Sequence, residues 1–577
     1  SAENGTIDIN GAGDLKLAGT VANLGDLSFD FGTVTYDGPA DQDILADAYY
    51  SLTAGGGAGT KSLLGAVTCA DAFTVDAGVT VDMDGNTIGV TGATDIDGIL
   101  TVAGSTLTLD GASVVGGTIT VVAGTVDANG AFNATGGNLT FTGAGNLQLA
   151  GDVTNLGTLT GADFGTVTYD GGSQNLFGPQ TYVNLVAGGT GTKTLLGTVT
   201  VSGAFTSNAS VTTAMGAFDL DVAGATDING IVTIVTGTLD AEGAFDAAGA
   251  GDATGGIITL TGAGHLELAG NVTSLGVLTD ATHGTVTYDG GGDQNIVSDN
   301  YVNLIAGGGG GTKTLGGNVI VAGTFTTDLD VTTAMGTFDL DVAGATTIPG
   351  TVTMTTGTLD TEGTFNATGG TIDINGAGEL QLAATTPLLG TNLSTDFGKV
   401  TYDGTTQTIF ADTYYDLTAG NANTKTLGGI VNIERDLTIG AGVTLDVSTD
   451  DYAINIKRHF TNSGTFTMQE GLVTFNGDNN QALTTGGSSF YAITFNTTGA
   501  ATKALTLVDA LVMTNNLTIT AGTMNLNGMA LNIAGDLTIA NNANWTKGGL
   551  VTFNGGATQQ FADGNTPPNN LGNISID

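Results

Sequence analysis

In Thr371-Ile372-Asp373-Ile374-Asn375 the two isoleucines fall on one side of an extended backbone and the polar residues on the other, the period-two pattern of a half-buried strand. The same alternation recurs along the chain in short runs of Val, Ile, Leu, Thr and Phe, broken by Gly, Asn and Asp. No stretch carries apolar residues at helical spacing. The pattern predicts many short strands separated by tight turns.

The turns are periodic. Gly350, Gly357, Gly363 and Gly370 each open a short segment at steps of 7, 6 and 7 residues, and Gly117, Gly124, Gly130 and Gly137 repeat those steps. Asn516-Leu517-Thr518-Ile519 returns as Asp536-Leu537-Thr538-Ile539, 20 residues on. Three short strands closing every 20 residues or so describe one coil of a three-sided parallel β-helix, with apolar rows stacked inside. Ile372, Ile374, Val201, Val321 and Cys69 are expected to point inward, and glycine at the corners is expected to supply positive φ. An excess at 247–252 reads as a corner loop.

A larger module overlies the coil. Phe31-Gly-Thr-Val-Thr-Tyr36-Asp37-Gly38 recurs around Tyr169, Tyr288 and Tyr402, with degenerate copies at Phe475 and Phe553. Each is followed by an aromatic–aliphatic pair, such as Tyr49/Leu52 and Tyr182/Leu185, and then by Thr-Lys-x-Leu, carrying Lys61, Lys193, Lys313, Lys425 and Lys503. The steps from Tyr36 to Tyr169, Tyr288 and Tyr402 are 133, 119 and 114 residues, and those onward to Phe475 and Phe553 are 73 and 78. Modules that shrink yet keep their order are built from whole coils. The organisation expected is a long-module solenoid over 1–430, with modules starting near 31, 164, 283 and 397, continued by a shorter-module solenoid over 431–577.

Composition narrows the function. Of 577 residues, 96 are Gly and 6 are Pro, and 40% are hydrophobic, too many for a disordered chain. Fifty-five acidic residues against 11 basic ones give a formal charge of −44. That balance argues against nucleic acid as a partner, and no apolar run is long enough for a membrane-inserted helix. It favours divalent cations at the surface. The chain opens at Ser1-Ala2-Glu3 and reads as a mature, secreted product.

Candidate chemistry is sparse. Cys69 stands where Val201 and Val321 stand in other modules and reads as a small buried hydrophobe. His265 and His283 align with Asn and Phe in other copies, and His459 stands alone. No catalytic residue is expected and the chain reads as no enzyme; a polysaccharide-processing β-helix is the catalytic alternative. Asp82, Asp84, Asp95, Asp97 and Asp478 sit in oxygen-rich turns of the kind Ca²⁺ takes, without the spacing of a known calcium loop. The repeated lysines admit two readings: an ion pair with a nearby aspartate, such as that of Tyr-Asp-Gly, or a lateral contact between neighbouring solenoids.

Gly32-Thr-Val-Thr-Tyr36-Asp37-Gly38, Tyr182-x-x-Leu185-x-Ala187-Gly188-Gly189 and Gly191-Thr-Lys193-Thr-Leu195 resemble the β-strand repeats of giant secreted bacterial surface proteins, adhesin and filamentous-haemagglutinin-like β-helical chains among them. The resemblance implies export, a right-handed β-helix and a role in adhesion, sheaths or matrix. Gly5 to Gly13 is nearly the string of Gly370 to Gly378, and Leu571 and Ile574 fall at the positions of Tyr49 and Leu52. Repeat sequence at both ends leads to the expectation of an extracellular, cell-surface structural protein that stacks end to end with itself into a filament, sheath or layer. A monomeric adhesin rod is the alternative.

Overall fold

The structure, a computed structural model, describes residues 5–27, 30–161, 164–249, 255–280, 283–390, 392–393, 396–497 and 502–577. The chain is an all-β parallel solenoid of about 28 turns, with about 20 residues per turn. No helix occurs among the described residues. It divides into two compact units, Ser1–Thr287 and Tyr288–Asp577. Of the expected corner loop at 247–252, residues 250–252 lie outside the described ones.

Through much of the first unit each strand pairs in parallel with the third strand along the chain, while near its start the partner is the second strand along, as Thr33–Tyr36 with Ala48–Ala54. Ile88–Val90 pairs with Leu107–Leu109, Thr94–Ile96 with Ser113–Val115, and Ile99–Val102 with Thr118–Val121, each at an offset of 19 residues. Val67–Val75 bends round a corner: its first part pairs with Ile88–Val90 and its last part with Thr94–Ile96. The second unit is built alike, with Thr351–Met354 over Thr371–Ile374 and Leu359 over Leu380.

Alternation converts this register into a core. Because side chains in register stack on one another, one apolar residue per position generates a continuous row, as in Leu100, Ile119, Leu139 and Leu159. Ile372, Ile374, Val201, Val321 and Cys69 are all buried, as the pattern predicts. Each such aliphatic residue contributes about 1.5–3 kcal/mol relative to exposure. Small hydroxyl residues make room between large rings: Thr94 and Ser113 separate Phe73 from Phe132, and Thr346 separates Phe325 from Phe365.

Positive φ is found at many turn glycines, as expected, but the four that mark the repeat have a different cause. Gly117, Gly124, Gly130 and Gly137 do not take positive φ. A Cβ on Gly117 would lie 2.0 Å from the carbonyl oxygen of Gly98, and one on Gly130 2.1 Å from that of Gly111. The coil before leaves no room for a side chain. Positive φ occurs at other glycines: at Gly136 (φ 84°) the Cβ direction is open, whereas at Gly56 (φ 88°) a Cβ would also lie 2.0 Å from the carbonyl oxygen of Asp37.

Candidate functional site

The module signposts converge on one inward-facing polar cluster, which occurs four times. Strand Thr33–Tyr36 places Tyr36 in the core, and strand Ala48–Ala54 places Tyr49 beside it. Their hydroxyls are 3.0 Å apart. Between them in sequence lies Leu45, whose N–H donates to the Tyr36 hydroxyl (3.1 Å) and whose carbonyl accepts from the Tyr49 hydroxyl (2.8 Å). Since Tyr36 accepts from the backbone and Tyr49 donates to it, the Tyr36 proton goes to Tyr49, and the circuit closes with every proton placed.

The circuit repeats without change of direction. Tyr169 and Tyr182 close on Phe177, Tyr288 and Tyr301 on Val297, and Tyr402 and Tyr414 on Phe410. In each copy a corner residue turns both backbone groups toward the core, where an unpaired group costs about 1–3 kcal/mol. The tyrosine pair satisfies both. Burial pushes all these hydroxyls up, to about 12 for Tyr169 and Tyr288, so they remain neutral donors.

The lysines lie on the adjoining face of the same modules. Lys61, Lys193, Lys313 and Lys425 are fully buried, which excludes a lateral contact with a neighbouring solenoid. Nor do they form direct ion pairs among the described residues. Lys61 Nζ donates to the carbonyls of Gly38 (2.6 Å) and Ala40 (3.1 Å) and to Gln42 Oε1 (3.3 Å). Lys193 and Lys313 repeat this with Gly171, Gly172 and Gln174, and with Gly290, Gly292 and Gln294. Lys425 donates to Gly404 and Thr405. The ammonium therefore caps carbonyl oxygens of the turn that follows Tyr-Asp-Gly, which no aspartate could do.

That aspartate acts through space instead. Burial lowers the pKa of all four lysines, to about 8 for Lys425, while Asp37, Asp170, Asp289 and Asp403 respectively raise it back part of the way. Burial in turn raises the carboxyls of Asp170 and Asp403.

A glutamine completes the cluster, and the sequence reading missed it. Gln42, Gln174, Gln294 and Gln407 lie in register with Lys61, Lys193, Lys313 and Lys425. Gln174 Nε2 donates to Leu149 and Gly151 of the coil before, and its Oε1 accepts from Gly171 N–H and Lys193. Gln481 and Gln559 keep the contact to the preceding coil after Phe475 and Phe553. The available signal was a Gln five or six residues after each module's Tyr or Phe.

Lys503 leaves the series. Gln481 pairs in register with Leu505, two residues later, so Lys503 is displaced from the core and partly exposed. In that module both tyrosines are replaced together, by Phe475 and Phe490. Thr497 Oγ1 caps the Gly477 carbonyl (2.8 Å), and buried Asn462 takes the carbonyl of Thr485 (2.7 Å).

The five aspartates of the calcium expectation are not brought together. Asp82 ends one strand and its Oδ1 accepts from the N–H of Asp84, which sits at φ 47°. Asp95 lies on a strand of a different sheet, with Asp97 directly after it. Burial and the charges of Asp97 and Asp76 raise the Asp95 carboxyl. Asp478, in the second unit, accepts from Asn479 (2.7 Å). Cys69 stacks between Tyr49 and Val90, and burial pushes its thiol up to about 12, the behaviour of a packing residue. His459 accepts a hydrogen bond from Ala482 N–H through Nδ1.

Compared with known proteins, the chain matches no family profile, no curated protein and no solved structure.

Proposed function

We propose that the chain is an extracellular structural protein whose coils stack with those of further copies to build a filament, sheath or surface layer. The observation that carries this reading is the use made of the module's reactive side chains. The paired tyrosines, the lysine and the glutamine of the first four modules are buried and bonded to backbone turns, so they brace the solenoid rather than face a substrate. A parallel coil also joins its neighbour by a main-chain ladder that another copy can continue, and continuation without closure gives a fibre. The acidic surface makes such contacts dependent on counter-ions, so divalent cations are proposed as partners.

Negative-stain electron microscopy of the purified chain, with and without Ca²⁺, tests the reading. Fibres or sheets with a regular axial repeat are expected. Dispersed particles at high protein concentration with Ca²⁺ present would overturn assembly and favour a monomeric surface rod. Reproducible turnover of a glycan, abolished by one Asp or Glu substitution, would overturn the structural role.

A further inference from the structure

Cations are scarce on this molecule and four of them share one place. Of the 11 Lys and Arg, four are buried in the clusters described above. Arg435, Lys457, Arg458 and Lys503, four of the remaining seven, line one hollow of about 700 Å³ in the second unit. It runs over successive coils: Leu417, Leu437 and Phe460 stack in register, and Tyr415, Arg435 and Arg458 each stand two residues before this row.

The lining groups differ in what they have left to offer. Arg435 is held by Asp416 (2.5 Å) and Asp436 (3.2 Å), with its guanidinium 5.0 Å from the centre of the Tyr415 ring. Lys457 is paired with Glu434. Arg458 is exposed, and among the described residues neither it nor Lys503 has an ion-pair partner. Asn480 uses its Oδ1 to accept from Ala504 N–H (3.1 Å), which leaves its amide hydrogens available. Asn479 and Asp478 complete the wall.

From this set we propose that the hollow binds a carboxylated sugar, the uronic acid unit of an acidic polysaccharide. The Arg458 guanidinium matches a carboxylate in a two-bond fork, and Lys503 adds a second positive charge. Sugar hydroxyls both donate and accept, so they pair with the carboxylates of Asp478 and Glu434 as well as with the amides of Asn479 and Asn480. A fully deprotonated oxyanion has no hydrogens for those two carboxylates and is repelled by them, whereas a uronate carries several ring hydroxyls beside its one carboxylate. The volume lies in the range of small-ligand sites, about 300–1,000 Å³, and a hollow suits a chain of sugar rings better than the face of another protein. The net charge of −44 opposes any anion at long range, but at ~0.15 M salt fields decay over about 8 Å, leaving the hollow's own cations to act.

Calorimetric titration of the full chain at ~0.15 M NaCl tests the proposal. Trigalacturonate or an oligoglucuronate of like length is expected to bind, and neutral maltotriose is not. Arg458→Ala and Lys503→Ala are each expected to weaken binding about tenfold, or about 1.4 kcal/mol, with an unchanged melting temperature. Absence of binding by both acidic sugars overturns the site, as does binding that survives both substitutions. Equal binding of polyaspartate or inorganic phosphate also overturns it, since the groove would then be a general anion patch.

Discussion

The hydroxyl of Tyr169 lies 3.0 Å from that of Tyr182, and the backbone of Phe177 dictates which of them donates. Because Phe177 N–H occupies Tyr169 as an acceptor and Phe177 C=O takes the Tyr182 proton, the two side chains act as a unit. Tyr182→Phe strands both the Tyr169 proton and the Phe177 carbonyl, whereas Tyr169→Phe strands the Phe177 N–H and leaves the Tyr182 oxygen without the donor it accepts from.

A double-mutant cycle reads this coupling. Each single substitution is expected to cost about 1–3 kcal/mol in urea unfolding. The double variant should depart from their sum by about 1 kcal/mol. Strict additivity would mean that the hydroxyls act independently.

Lys425 makes stability respond to alkaline pH. Its folded pKa, lowered by burial to about 8, lies below the unfolded value, so its contribution is full above the ordinary lysine range and is lost as pH falls through about 8. Melting temperature should rise between pH about 8 and about 10, short of tyrosine ionisation. Lys425→Met should flatten that rise. It should also lower stability at neutral pH, because the carbonyls of Gly404 and Thr405 lose their donor. An unchanged alkaline slope in the variant would refute the assignment.

Asp360 gives a second pH dependence of opposite sign. Burial first, then the charges of Asp403, Glu362, Asp341 and Glu379, raise its carboxyl to about 6. The folded protein holds this proton more tightly than the unfolded chain, so the stabilisation is complete below the ordinary aspartate range and is lost as pH rises through about 6. Asp360→Asn should raise the melting temperature by about 2 °C at neutral pH and leave it unchanged at pH about 4. An equal gain at both pH values would point to a cause other than charge.

Ca²⁺ should raise the melting temperature more than NaCl does at matched ionic strength. The Asp95 carboxyl is raised by burial first and then by the charges of Asp97 and Asp76, so a cation there relieves repulsion. Asp95→Asn should reduce the calcium increment. Equal effects of the two salts would leave screening as the whole explanation.

The sequence by itself determined that the chain is a parallel solenoid, how long a coil is, and that Ile372, Ile374, Val201, Val321 and Cys69 face inward. Those properties rest on two periods, of two residues and of about 20, that are complete within a single coil and its repetition. What only the tertiary structure decided is what each coil meets in the one before it. The identity of the atoms around Lys61 depends on a turn 21 to 23 residues earlier, and Gln42 reaches back 25 residues to Leu17. Lys503 shows the limit of reading by motif: Thr-Lys-x-Leu is intact there, yet a two-residue shift in register moves the ammonium out of the core. Gly117 shows it for the backbone, since its need to lack a Cβ comes from the Gly98 carbonyl and from no torsion of its own. Contacts between coils are set by register, and register is a property of the stacked chain, fixed only when successive coils pack on one another.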